Sequence, residues 1–433
     1  MNASNAAHDQ LDFDFGTGFE PAAVAPTDDP LAGLEPAAGQ TPPKVVLSYG
    51  LGVDSTAILL RWLHEPTSRD FDLDDLVVVT AMTGDEWDKT GTDVEQHILP
   101  LLRRHGVRYV QAARARRHVT TAGAGLVVLD DSTAPHVLHL DGAYKLSDEM
   151  REAGTLPQSG GMRACSVHSK GDVLDPVIAR ITAGQPFRHI IGFESEEQRR
   201  ATKDALYNTS TRTGEYPLLE WDWDRAMCEA YITGKTGVAW SKSACSFCPF
   251  AAGSKDGRKA LFQRYVENPE QAISTLAMEH LALALNPKQG LIAGKRLADA
   301  LVEAGHGHLI DLLQRRLDTE TYAVYEVRRI LRPKADDPTK LANASRSVAT
   351  VFTGTRAEAA ADLRARAATL GLPAGVGPDG IARVHIRERG ETLPALEHYL
   401  VAAPAGALDK QVAKFEAWWA ELAEDAAPEL PAA

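Results

Sequence analysis

Two groups of residues in this chain have the types and spacing for chemistry. The first is Ser48-Tyr49-Gly50-Leu51-Gly52-Val53-Asp54-Ser55, which lies between a short apolar run, 44–48, and a stretch in which Ile58, Leu59 and Trp62 recur at helical spacing. A tight glycine turn between a strand and a helix start aims free backbone N–H groups at one point. The helix dipole adds positive potential there, so the stretch is a candidate anion site, most often a phosphate site. The second group is the four cysteines, Cys165, Cys228, Cys245 and Cys248. Cys245 and Cys248 have the Cys-x-x-Cys spacing that lets two thiolates hold one metal. Cys228 and Cys165 could complete a four-thiolate set for zinc or a [4Fe–4S] cluster. Cys165 with His168 offers a second zinc set that leaves Cys228 buried, and a redox pair is the non-metal alternative.

The glycine loop does not match the two commonest phosphate loops. Ser55 stands where the third glycine of a dinucleotide fingerprint would fall, and no Gly-Lys-Ser/Thr follows. It resembles the PP-loop of the adenine nucleotide α-hydrolase superfamily, usually Ser-Gly-Gly-x-Asp-Ser, with Gly50 and Leu51 in the first two places. The Tyr-Gly-x-Gly-Val-Asp-Ser form is similar to the branch that holds phosphoadenosine phosphosulfate (PAPS) reductases and their relatives. Further segments carry the resemblance in order. They are Thr83-Gly84-x-Glu86 followed by Thr90; Arg163-x-Cys165 with Lys170; Ile191-Gly192 with Glu and Arg199 beyond it; Tyr216-Pro-Leu; and Ser243-x-Cys245-x-x-Cys248-Pro249. Together they span about half of the chain.

The resemblance implies that Ser48, Tyr49, Gly50, Gly52 and Ser55, with Thr83, Gly84, Glu86, Arg163, Gly192 and Arg199, bind the nucleotide and its phosphates. It implies catalytic roles for Asp54, Ser55 and Lys170, with Asp54 helping Mg²⁺ or ordering the loop. ATP and Mg²⁺ would be the cofactors. Iron–sulfur clusters in sulfur-transferring relatives favour [4Fe–4S] over Zn²⁺ at the cysteines. The expected activity is adenylation at the α-phosphate of ATP with release of pyrophosphate, coupled to sulfur or nitrogen transfer. The acceptor could be a nucleic acid, and a sulfur donor protein would be a partner. Two alternatives stand beside it: a thiol-dependent PAPS or adenylylsulfate reductase, and a nucleotide-binding module without turnover. The reductases carry a catalytic cysteine near the C-terminus, and no cysteine follows Cys248.

The elements that must position these residues read as an α/β fold with a doubly wound parallel sheet. Strands are expected at 44–48, 75–83, 108–113, 188–195 and 216–221, with helices after 54, at 90–105 and up to 181. A hairpin is expected at 126–140. Residues 159–161 are read as part of a loop over the site, and Asp222-Trp223-Asp224 as the cap of the helix that holds Cys228. Helices are expected at 256–267, 269–285, 294–304 and 307–316. Strands at 322–331, 381–389 and 396–402, a helix at 357–370 and a last helix capped by Asp409 complete the pattern. The last helix buries Val412, Phe415, Trp419 and Leu422. The domains are then a disordered acidic tail (1–43), a PP-loop domain (44–253), a helical region (254–318), a small α+β module (319–423) and a tail (424–433).

With 433 residues and 44% hydrophobic composition the chain can build two or three cores. The net charge of −13 argues against a broadly basic nucleic-acid surface. Residues 1–43 carry seven acids and no Lys or Arg, which leaves about −6 for the rest. Arg328, Arg329, Arg332, Lys334, Arg383, Arg387 and Arg389 in the last module are read as a charged sheet face, with a nucleic-acid backbone surface as the alternative. No apolar run reaches the length of a membrane span and no secretory signal is evident, so no membrane partner and a cytoplasmic location are expected.

Overall fold

The computed structural model describes residues 29–37, 39–157, 164–292, 295–338 and 340–425. Arg163 and the segment 159–161 lie outside them, as do residues 1–28 of the expected N-terminal tail and 426–433 of the expected C-terminal tail. The first domain contains β1 (Val45–Ser48), α1 (Val53–His64), β2 (Leu76–Met82), α2 (Asp88–His97), α3 (Leu99–His105), β3 (Arg108–Arg114), β4 (Leu126–Ser132) and α4 (Leu146–Ala153). After a short turn, α5 (Ala164–Ser166), and a π-helical turn at Val167–Gly171 come α6 (Asp172–Thr182), β5 (Phe187–Ile190), α7 (Gln198–Asp204), β6 (Arg212–Glu215), α8 (Pro217–Glu220) and α9 (Arg225–Thr236).

The six strands form one sheet in the order β4-β3-β2-β1-β5-β6, parallel except where β4 runs back along β3. β2 is buried almost throughout, which explains its unbroken apolar run: both faces of a parallel sheet are covered. α1, α2 and α3 close one face around Leu47, Ile58, Val78 and Leu102. α6 closes the other around Val46, Val77, Val110 and Val177. From β1 the chain lays β2 and β3 to one side, and β5 and β6 to the other. The carboxyl ends of β1 and β5 therefore flank a topological switch point, where such sheets bind ligands.

Several expectations need correction. The helix expected at 90–105 is two, because Pro100 lacks the N–H that a continuous helix needs and sits in the first turn of α3. The hairpin at 126–140 is the single strand β4. The chain beyond it is satisfied by side chains: buried Gln111 donates to the Val137 carbonyl and accepts from the His139 N–H, and Glu95 accepts from the Leu138 N–H. The strand expected at 216–221 lies instead at β6, and Pro217 opens α8. β5 stops at Ile190 rather than running to 195. Residues 29–37, expected within the disordered tail, pack on the domain. Leu31 and Leu34 are buried with α6, and Arg180 pairs with both Asp29 and Glu35.

Helices α10 (Lys255–Glu267), α11 (Pro269–Leu285), α12 (Leu297–Glu303) and α13 (His308–Thr319) lead to a second sheet built from β7 (Thr321–Leu331), β8 (Ser345–Thr355), β9 (Gly375–Val376), β10 (Ala382–Arg387), β11 (Ala395–Pro404) and β12 (Lys410–Gln411). Its order is β12-β8-β7-β11-β10-β9, all antiparallel. α14 (Arg356–Leu370) packs on one face, the C-terminal end of α11 on the other, and α15 (Phe415–Asp425) closes a small cluster with Ile330 and Leu396. β8 was not expected. Asp409 does not cap the last helix; it accepts from the Thr350 N–H instead. α11 is almost wholly buried and its Glu279 accepts from the N–H groups of Leu291, Leu297 and Ala298, which caps α12. The molecule is thus mixed α/β, with a mostly parallel six-stranded sheet flanked by helices and a smaller antiparallel sheet. Among the described residues no helix is long and apolar enough to cross a membrane.

Candidate functional site

The glycine loop stands where the sequence places it, between the end of β1 and the start of α1. Gly52 is the N-cap residue, and no side chain caps the helix. The first N–H groups of α1 are therefore free to meet an anion. The Ser55 hydroxyl accepts from the Gly50 N–H at 3.2 Å and faces the Gly52 carbonyl at 3.5 Å. It stitches the loop shut, so its first task is loop order.

Leu51 has φ +60°, a left-handed conformation in which a side chain is strained by roughly 1–2 kcal/mol. The PP-loop pattern has glycine here. This chain offsets the strain in two ways. The Leu51 side chain is buried in the α1 core, and its carbonyl accepts from the Trp240 indole N–H at 3.0 Å. The departure from the glycine pattern is thereby compensated by a tryptophan 189 residues later.

Gly192, just past β5, packs on the first turn of α1. A Cβ there would lie 2.9 Å from the Ser55 nitrogen and 3.0 Å from the Asp54 Cβ. Only glycine fits without moving the loop. Asp54 is held by Arg225 of α9, whose Nη2 donates to Oδ2 at 2.9 Å. Burial pushes the Asp54 carboxyl up to about 6 despite Arg225, and the charges of Glu197 and Glu194 add to the rise. Asp54 Oδ1, Glu194 Oε2 and Glu197 Oε2 are all buried without a hydrogen-bond partner. Glu194 and Glu197 lie near enough to raise Asp54, but among the described residues the three carboxylates are not gathered into a metal-binding group. Arg199 is exposed at the start of α7. Its neighbour Arg200 lies over the Phe193 ring, pairs with Glu197 and reaches Asp54 electrostatically. Sequence reasoning singled out neither Arg225 nor Glu197.

Ser48 accepts from His189 of β5. Nδ1 of His189 receives the Arg212 Nε–H at 2.9 Å, so its Nε2 carries the proton and donates to Ser48 Oγ at 2.8 Å. Burial pushes His189 down to about 4, so it is neutral at pH 7. Tyr49 does not present its ring to a ligand. It is buried beneath the loop, where its hydroxyl accepts from Thr56.

The segment after β2 forms the adjoining wall. Gly84 has φ +84°, and a Cβ would strike Lys145 Cγ at 2.6 Å. Glu86 was expected to meet the nucleotide. Its oxygens are taken: Oε1 accepts from Trp87 N–H, Thr90 Oγ1 and Ala244 N–H, and Oε2 from Ser243 Oγ at 2.6 Å. It anchors the segment 240–248 over the loop, where the Ser243 Cβ comes within 3.6 Å of a Cβ placed on Gly52. Asp85 accepts from the Ser147 N–H, and burial pushes it up to about 6. A cavity of about 480 Å³ opens beside it, bounded by Gly84, Lys145, Asp148 and Gln271.

The cysteines divide between two cores. Cys228 lies fully buried among the side chains around α1, whereas Cys165 and Cys245 pack against the core that contains Trp87 and Tyr265. The four thiols are not gathered, and among the described residues no group of three or more His, Cys, Asp or Glu is placed to hold a metal. Cys245 Sγ lies 3.4 Å from Thr83 Oγ1. Burial pushes the Cys245 and Cys228 thiols up to about 12, with Lys170 acting against the rise at Cys245. Lys170 belongs to the π-helical turn before α6, a local geometry frequent at functional sites. His168, of the alternative zinc set, is instead paired with Glu149.

These elements define a mixed α/β protein with an uncapped helix N-terminus at the switch point of its mostly parallel sheet. No family model, no curated protein and no solved structure matches the chain.

Proposed function

We propose that the chain is an ATP-using, AMP-forming enzyme of the PAPS reductase-like branch of the PP-loop superfamily. The observation that carries this is the uncapped α1 N-terminus at the switch point of the parallel sheet, with the unpartnered Oδ1 of Asp54 in its first turn. Free N–H groups at a helix start suit the pyrophosphate of ATP, and a carboxylate beside them suits the Mg²⁺ that accompanies it. The N–H groups at the start of α1 would hold the phosphates, Asp54 would help to hold Mg²⁺, and Lys170, near Cys245, would add a point charge. Bound Mg²⁺ would neutralise charge on the phosphate oxygens.

In the reaction an acceptor oxygen attacks the α-phosphorus and the bond to the bridging α–β oxygen breaks. Pyrophosphate leaves, and the acceptor carries AMP. A sulfur or nitrogen nucleophile then displaces AMP from the acceptor. The loop N–H groups stabilise charge as it moves onto pyrophosphate. A cysteine nucleophile toward sulfate is less well supported, because Cys228 and Cys245 are both held protonated by burial. No step is assigned to an iron–sulfur or zinc centre, since the thiols proposed as its ligands are apart. The test is incubation of the full chain with ATP labelled at the α-phosphate, Mg²⁺ and candidate sulfur or amine acceptors. AMP and pyrophosphate in equal amounts support the proposal. ADP and phosphate, or no product with any acceptor while ATP is bound, would replace it with a kinase-like or non-catalytic module.

A further inference from the structure

One face of the C-terminal sheet, the face on which α11 packs, is apolar at its middle, with Tyr325, Val327, Val348 and Val401. Toward one end it becomes cationic. The register sets Arg346 of β8 directly opposite Arg329 of β7, and Arg329 opposite Glu397 of β11. Lys410 of β12 lies opposite Val348, two residues from Arg346 and so on the same face.

The charges on this face do not balance. Arg329 is only 6% exposed; its Nη1 donates to Glu397 at 2.9 Å, but its Nε is buried with no partner. The Arg346 guanidinium makes no side-chain hydrogen bond or ion pair among the described residues. Burial and the Arg329 charge both push its pKa down. The Lys410 ammonium donates to the Ala153 carbonyl, and burial, then Arg346 and Arg117, push it down to about 7. Arg329 thus has one carboxylate, Glu397, and Arg346 and Lys410 have no carboxylate partner among the described residues. Like charges directly opposite on neighbouring strands destabilise a sheet, and a buried donor without a partner, here Arg329 Nε, is costly. Such an arrangement is rewarded when an anion completes it. Two guanidinium groups and an ammonium suit the oxygens of a tetrahedral dianion.

We propose that Arg329, Arg346 and Lys410 form a second anion site, for a phosphate group, on the α11 side of the C-terminal sheet. The phosphate is either free or part of a nucleic-acid backbone. The site uses none of the glycine-loop residues, so it stands or falls separately from the proposed ATP chemistry.

The experiment compares the full chain with Arg346→Gln, using inorganic phosphate and a fluorescein-labelled single-stranded oligonucleotide as probes. Without phosphate, Arg346→Gln should melt above the parent, because repulsion is relieved. Phosphate should raise the melting temperature of the parent, and the variant should need at least ~10-fold more phosphate for the same shift. If the phosphate comes from nucleic acid, oligonucleotide affinity should also fall about tenfold and the salt slope should lessen by about one. Response to free phosphate alone would identify a small anion as the occupant. Equal responses of parent and variant to both probes would overturn the proposal. If Arg346→Gln does not fold, Lys410→Gln carries the same test against the same expectations.

Discussion

Gly192→Ala tests the architecture of the candidate site most sharply. The added methyl carbon would lie 2.9 Å from the Ser55 nitrogen, 3.0 Å from the Asp54 Cβ and 3.1 Å from the Asp54 carbonyl carbon. Ordinary contacts at such atoms are about 3.5–4 Å, so the loop after β5 and the first turn of α1 must part by roughly 0.5 Å. None of the three is the end of a flexible side chain, so the shift falls on backbone. Overpacking of this kind costs about 1–3 kcal/mol. Displacing the N–H groups that would hold phosphate by about half an ångström should weaken ATP·Mg²⁺ binding at least ~10-fold. The control is Gly234→Ala within α9, where nothing lies within 4 Å of the new Cβ. That change should stabilise by roughly 0.5–1 kcal/mol through helix propensity and leave binding untouched. Melting curves and calorimetric titration of ATP with Mg²⁺ read both effects. A Gly192→Ala protein that melts and binds like the parent would refute the packing argument.

Three further outcomes follow from the same contacts. Glu86→Ala removes the acceptor for Ser243 and Ala244, so the segment 240–248 should loosen. Expected are faster amide exchange and protease cleavage there, and weaker nucleotide binding; unchanged exchange would contradict the anchoring role. Burial pushes the Asp85 carboxyl up from its ordinary value near 3.8 to about 6 in the fold. Between those values the fold binds more protons, so stability falls as pH rises through the window. Asp85→Asn should match the parent near pH 4 and exceed it by on the order of 2 kcal/mol above pH 7, as measured by denaturant melts. Cys228→Ser should leave the zinc, iron and acid-labile sulfide content of anaerobically purified protein unchanged, because this thiol lies in a different core from Cys165 and Cys245. A loss of metal in Cys228→Ser would show that the four thiols do meet.

Much of the scaffold was legible because burial dictates it. β2 is buried on both faces and reads as an unbroken apolar run, and the Gly50–Gly52 turn before α1 follows from local chemistry. α10 and α11 carry their own punctuation in the Ser254 cap, Asn268 and Pro269. β8 escaped notice because Ser345–Thr355 has few large apolar residues and is half exposed along much of its length. The supposed hairpin failed because a buried glutamine, Gln111, replaces a strand as hydrogen-bond partner. In the site, the loop and Gly192 were visible. Arg225 and Trp240 were not, since each reaches the loop only through tertiary packing, 171 and 189 residues away. Glu86 carried the right motif but spends its oxygens on the 240–248 segment. The cysteine spacing pointed to a shared metal, yet Cys228 is the helix residue that faces the α1 core.

The most direct measurement is calorimetric titration of the full chain with the non-hydrolysable α,β-methylene analogue of ATP, with and without Mg²⁺. Expected is one site per chain, dependent on Mg²⁺ and lost in Asp54→Asn. Absence of binding, or binding that ignores both Mg²⁺ and Asp54, would contradict the assignment of the β1–α1 loop as an ATP site.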